Sequence, residues 1–158
     1  MKIKIIELIK SFQEEKLEIL KCINSVLKKG NLILTPELKK FEKSICKFTG
    51  AKFCLGVNSG TDALIMSLWS TGISRGDEVI TTPISFIASV SSIIHVGAKP
   101  VLVDVDDDLN INPDLIESAI TKKTKAIMPV HWTGRVCNMD KILKIAKKYN
   151  LIVIEDAA

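Results

Sequence analysis

From residue 53 onward, short apolar runs rich in β-formers alternate with helical stretches, and no other feature restricts the fold so sharply. The runs fall at residues 53–57, 78–82, 100–105, 126–130 and 151–154, five in all, with helices expected at 61–72, 85–96, 113–122 and 138–149. Gly72, Gly76, Gly97, Asn112-Pro113 and Gly134 punctuate them. Strands apolar at successive positions and joined by helices of about ten residues are buried on both faces, which predicts an α/β fold: a mainly parallel sheet between two helical layers. No repeat or linker interrupts the alternation, so one domain is expected.

Ahead of it, residues 8–29 carry Leu8, Ile9, Phe12, Ile19, Leu20, Ile23, Val26 and Leu27 at helical spacing before Gly30. A second helix is signalled by Thr35 as cap, Pro36 in the first turn, Leu38, Phe41, Ile45 and Phe48 on one face, and Gly50 after its end. The chain has 158 residues, 47% hydrophobic and 25% charged, which supports a packed core. Its net charge of +4 comes from lysine pairs near expected helix ends, so they read as solvated, dipole-matched ends and not as a nucleic-acid surface. Cys22, Cys46, Cys54 and Cys137 show no C-x-x-C spacing, and the two histidines, His95 and His131, do not accompany them. Neither a zinc site nor a disulfide framework is expected; no metal site, no signal peptide and no membrane span are read, and a cytoplasmic protein follows.

Parallel α/β sheets bind ligands outside the carboxyl ends of their strands, so the residues after each run carry the functional reading. Asn58-Ser59-Gly60-Thr61-Asp62 turns straight into a helix, whose free N–H groups suit a phosphate, although Ser59 serves a plain cap equally well. The spacing is that of neither a P-loop nor a dinucleotide turn. Phe86 stands where its ring either joins the core or packs on a flat ligand. His131 and Arg135, flanking Gly134, are candidates to hydrogen-bond a ligand and to meet an anion. The last run delivers Glu155-Asp156. Asp156 suits a protonated ring nitrogen, which stays charged in a buried site when an anion adjoins it. A phosphate at Ser59-Gly60-Thr61, a ring against Phe86 and a ring nitrogen at Asp156 together describe pyridoxal 5'-phosphate (PLP).

These segments resemble the DegT/DnrJ/EryC1/StrS family of PLP-dependent sugar aminotransferases. The likeness rests on Asn58-Ser-Gly-Thr-Asp-Ala-Leu64, on Gly76-Asp-Glu-Val-Ile80 with Thr82-Pro83 and Phe86, on Gly97-Ala-Lys-Pro100 with Asp104, and on Ile154-Glu-Asp-Ala-Ala158, in order from about Ile6 onward. The resemblance implies the large domain of fold type I transferases, here incomplete: residues 1–158 would be its amino-terminal part, without the small carboxyl-terminal domain. It implies that Gly60 and Thr61 hold the cofactor phosphate, that Phe86 covers the pyridine and that Asp156 pairs with its nitrogen. It further implies amino transfer, usually from glutamate, to the keto carbon of a nucleotide-linked deoxysugar, by homodimers.

Leu34-Thr35-Pro36 stands where the family commonly has Gly-Pro. In the family the lysine that binds the cofactor covalently lies downstream of Glu-Asp-Ala-Ala, where this sequence stops, so the chain is expected to be a fragment, inactive alone. Lys141, Lys144, Lys147 and Lys148 are spaced as a solvated helical face and Lys125 begins a strand, so none is expected to replace it. Because the first strand of such sheets is joined through later strands, residues 53–57 are expected to lack neighbours. Two other readings remain at this point: a non-catalytic module pairing with a longer homologue, and a fragment of a PLP-dependent sugar dehydratase.

Overall fold

The computed structural model describes residues 7–158; Ile6, where the resemblance starts, lies outside the described residues. Contacts group the chain into two compact units, one ending at Gly56 and one comprising Val57–Ala158.

The first unit holds α1 (Leu8–Lys29) and α2 (Pro36–Thr49). Both end as the sequence predicts, with Gly30 and Gly50 in the left-handed conformation that closes a helix at low cost. Thr35 caps α2 by accepting from the Leu38 N–H at 3.2 Å, and Lys29 pairs with Glu37 at 2.6 Å. No side chain of either helix is buried within the described residues.

The second unit is the α/β body, with α3 (Gly60–Ser70), β1 (Glu78–Thr81), α4 (Ile87–His95), β2 (Lys99–Leu102), α5 (Pro113–Ala119), β3 (Thr124–Ile127), α6 (Met139–Tyr149) and β4 (Ile152–Val153). All strands are parallel, in the order β2-β1-β3-β4. Side chains alternate across a strand, so Val79, Ala126 and Met128 enter one core with Leu64 and Leu68 of α3 and Ile93 of α4. Ile80 and Ile127, one residue along, enter the opposite core with Ile116 of α5 and Ile142, Ile145 and Ala146 of α6. This is the predicted layered arrangement.

Two expectations are corrected. Residues 53–57 form no strand: a ladder needs a neighbour, and among the described residues they pair with none. The Gly56 N–H goes instead to Glu42 Oε1 at 2.9 Å, and Phe53 is 81% exposed. The sheet therefore has four strands where five runs were counted. Helix α5 stops at Ala119, short of residue 122. Thr121 draws the chain out: its N–H donates to Thr124 Oγ1 at 2.9 Å and its hydroxyl donates to Glu78 Oε2 at 2.6 Å.

That bond, more than the Lys99 ammonium 3.4 Å away, holds the Glu78 carboxyl below its usual range against the opposing effect of burial. A depressed carboxylate contributes stability that is present above the unfolded-state value and fades as pH falls below it. Thr121→Val should therefore be less stable than the parent at pH 7, with the gap narrowing below about pH 4.5, measured by urea unfolding across pH. Fully buried Ile93 and exposed Leu17 give a second contrast. Ile93→Ala should cost about 3 kcal/mol and Leu17→Ala less than about 0.5 kcal/mol by the same method.

Candidate functional site

A cleft of about 410 Å³ opens in the second unit at the carboxyl end of the sheet, lined by Gly60 and Thr61 of α3, Phe86 at the start of α4, the 131–133 turn, and Asp156. The first turn of α3 presents N–H groups without intrahelical acceptors at Gly60 and Thr61. Ser59 caps the helix through the Asp62 N–H at 3.1 Å, which leaves the hydroxyl proton of Ser59 free to donate. Asn58 Nδ2 holds the Asp62 carboxylate at 2.6 Å. A Cβ at Gly60 would lie 3.3 Å from the Ala158 Cβ, a tight contact that a small shift of Ala158 would have to relieve.

Phe86 is 73% exposed, so it is not core: its ring stands open over the cleft. Asp156 is delivered by an extension of the sheet past β3 and β4. Its N–H donates to the Pro129 carbonyl at 2.9 Å, its own carbonyl accepts from the His131 N–H at 3.0 Å, and it bridges in parallel to Val130. Its side chain is buried, yet faces the cleft.

His131 lines the cleft with both ring nitrogens engaged inside the protein. The Cys137 N–H donates to Nδ1 at 3.2 Å, so in the neutral ring Nε2 bears the proton and donates to Glu155 at 2.9 Å. A ligand meets the ring, and reaches Nε2 only by displacing Glu155. Burial, followed by the charge of Asp108, pushes the Cys137 thiol up, and its Sγ–H donates to the Val130 carbonyl at 3.1 Å. Arg135, the expected anion contact, is absent from the cleft lining; its Nη1 donates to the Asp108 carbonyl at 3.2 Å. Among the described residues no three His, Cys, Asp or Glu side chains gather as metal ligands do, and no helix is long and apolar enough to cross a membrane.

Sequence reasoning missed three groups. Ser85 stands just ahead of α4 and Ser89 in its first turn, their hydroxyls 2.6 Å apart, and Ser89 donates to Asp156 Oδ2 at 2.6 Å. Trp132 and Thr133 line the cleft. Asn110, distant in sequence and almost fully buried, clasps that turn: Oδ1 accepts from the Trp132 N–H at 3.0 Å while Nδ2 donates to the Arg135 carbonyl at 3.1 Å.

A four-stranded parallel sheet whose strand-end cleft gathers a helix start, an open aromatic ring and a buried carboxylate makes this an α/β body of the fold type I class, in part. The chain belongs to the DegT/DnrJ/EryC1/StrS aminotransferase family, whose model matches residues 13–158. It is 46% identical over 137 residues to the spore coat polysaccharide biosynthesis protein SpsC of Bacillus subtilis, covering 86% of this chain and 35% of SpsC. It is 48% identical over 142 residues to the dTDP-3-amino-3,6-dideoxy-alpha-D-galactopyranose transaminase of Aneurinibacillus thermoaerophilus, covering 89% and 39%. Among solved structures, DesV of S. venezuelae superposes with a TM-score of 0.96 at 37% identity over 99% of this chain and 42% of DesV. NtdA of Bacillus subtilis, solved with bound cofactor PMP, superposes with a TM-score of 0.89 at 39% identity, covering 91% and 33%. The chain thus spans about two fifths or less of the length of these relatives.

Replacing Asn110 removes the side-chain partner of both the Trp132 N–H, which keeps the Val130 carbonyl at 3.0 Å, and the Arg135 carbonyl. Asn110→Ala should lower stability by about 2 kcal/mol and reduce the protection of the Trp132 amide in hydrogen exchange, with protection in α4 unchanged.

Proposed function

We propose that residues 1–158 are the amino-terminal part of the large domain of a PLP-dependent aminotransferase that aminates a nucleotide-linked keto-deoxysugar, with glutamate as donor, as a cytoplasmic homodimer. The observation that carries this reading is the convergence of Gly60, Thr61, Phe86 and Asp156 on one cleft. The names of the relatives, a dTDP-sugar transaminase and a polysaccharide biosynthesis protein among them, support the substrate class.

The residues present fit the cofactor. Glycine at position 60 keeps backbone open at the start of α3, where two N–H groups, the Thr61 hydroxyl and the Ser59 proton would hold the phosphate. Phe86, open on one face, would cover the ring. Asp156 would hold a proton on the ring nitrogen: a buried carboxylate stabilises an adjoining cation far more than water-exposed carboxylate does. Bound there, PLP supplies an electron sink for charge at the carbon that gains or loses the amino group, provided its ring nitrogen stays protonated. Trp132 and His131, across the cleft, would narrow the access of water.

The covalent lysine is not among these residues. Lys141 pairs with Asp114 at 2.9 Å and Lys148 with Glu117 at 2.7 Å on the outer surface of α6, and Lys125 sits at the amino-terminal half of β3, away from the cleft. We therefore expect this stretch to bind PLP without covalent attachment and without turnover.

By equilibrium titration the chain should bind PLP at least about tenfold more tightly than pyridoxal, which lacks the phosphate, and Asp156→Ala should weaken PLP about tenfold, each corresponding to one charge-assisted contact. Borohydride treatment should leave every lysine unlabelled by mass spectrometry. Equal binding of pyridoxal and PLP would remove the phosphate site, and a labelled lysine with transaminase turnover would overturn the expected inactivity.

A further inference from the structure

The two side-chain partners that the described residues give Asp156 are neutral donors: the Ser89 hydroxyl on Oδ2 at 2.6 Å and the Ala158 N–H on Oδ1 at 3.3 Å. Ser89, fully buried, is in turn bonded to Ser85, with 2.6 Å between the two oxygens. The direction of this chain follows from proton counting. An ionised carboxylate only accepts, and a serine hydroxyl has one proton. Ser89 therefore donates to Asp156 and must accept from Ser85, whose single proton is committed in its turn. What remains on Ser85 is lone-pair capacity. Both Ser85 and Asp156 line the cleft.

We propose that Ser85 and Ser89 form a one-way hydroxyl relay that positions the Asp156 carboxylate and makes the Ser85–Asp156 edge of the cleft acceptor-only, so that it selects a ligand edge bearing a donor. Resting on the cofactor reading, the proposal names that edge as the protonated ring nitrogen and makes Ser85 and Ser89 positioning residues for it. The helix itself supports the relay's rigidity: the Ser89 N–H donates to the Phe86 carbonyl at 3.2 Å, and the Ser92 hydroxyl donates to the Ser89 carbonyl at 3.1 Å. Ser89 thus stands on a pinned backbone and its rotamer is fixed from both ends of the hydroxyl.

The test has two arms on the 158-residue chain. In the first, dissociation constants are measured for PLP and for its analogue with C–H in place of the ring nitrogen. The parent should favour PLP at least about tenfold; Ser89→Ala should weaken PLP about tenfold and the analogue less than about twofold. Ser89→Thr, which keeps the hydroxyl, should retain the preference, and Ser85→Ala should reduce it about threefold. Equal weakening of both ligands by Ser89→Ala, or a Ser89→Thr variant that behaves like Ser89→Ala, would reduce Ser89 to a packing residue and overturn the proposal. The second arm needs no cofactor: Ser89→Ala should lower the melting temperature by about 3 °C in the parent and by less than about 1 °C in the Asp156→Ala background. Equal losses in the two backgrounds would overturn the relay. If the parent bound neither ligand while the melting cycle showed coupling, the cofactor reading would fall and the relay would stand.

Discussion

The site depends on two backbone hydrogen bonds beyond the last regular ladder: Asp156 N–H to the Pro129 carbonyl and His131 N–H to the Asp156 carbonyl. They carry the pairing of β3 and β4 one step further and so fix where Asp156 and His131 stand relative to each other. In a parallel sheet each strand's register is set by its neighbours, so these bonds inherit the rigidity of a body whose two cores are closed by Val79 and Ala126 on one face, Ile80 and Ile127 on the other, and their facing helices. Buried at 7% exposure, the Asp156 carboxylate would be costly without partners. Ser89 and the Ala158 N–H supply them without neutralising the charge.

The three sides of the cleft come from three kinds of local structure. A small-residue turn opens α3 and leaves its first N–H groups free, the start of α4 carries an aromatic ring and two hydroxyls, and the strand ends bring the carboxylate and the imidazole. Each is short-range in origin, and the sheet order β2-β1-β3-β4 brings them together. The turn at Trp132–Gly134 is held differently, by a side chain from the loop after β2, so the cleft wall opposite Gly60 depends on Asn110.

Where the chemistry is periodic or local, the sequence was legible. The strand and helix alternation from β1 to β4 follows from apolar pattern, the Thr35 and Ser59 caps from residue type, and the closing glycines of α1 and α2 from their left-handed conformation. Residues 53–57 read as a strand because β-propensity reports a side-chain preference for a pleated surface; they were expected to lack neighbours, and without a neighbour to accept the ladder the strand does not form. Arg135 suits an anion by type, but its guanidinium goes to the Asp108 carbonyl and it stays out of the cleft lining, whereas His131 lines the cleft with its ring nitrogens held by Cys137 and Glu155. Asn110 gave no signal, since its partners in that turn lie more than twenty positions away. Ser85 and Ser89 had a readable spacing, and only the position of Asp156 gives that spacing a meaning.

The central claim is that the buried carboxylate of Asp156 holds a proton on a pyridine nitrogen in this cleft. The most direct measurement is the ¹⁵N NMR spectrum of ring-labelled PLP mixed with the chain at neutral pH. A nitrogen shifted to the protonated position in the parent, and returned to the unprotonated position in saturated Asp156→Ala, is the predicted result. A bound ligand whose ring nitrogen is unprotonated in the parent, or equally protonated when Asp156 is alanine, would contradict the account.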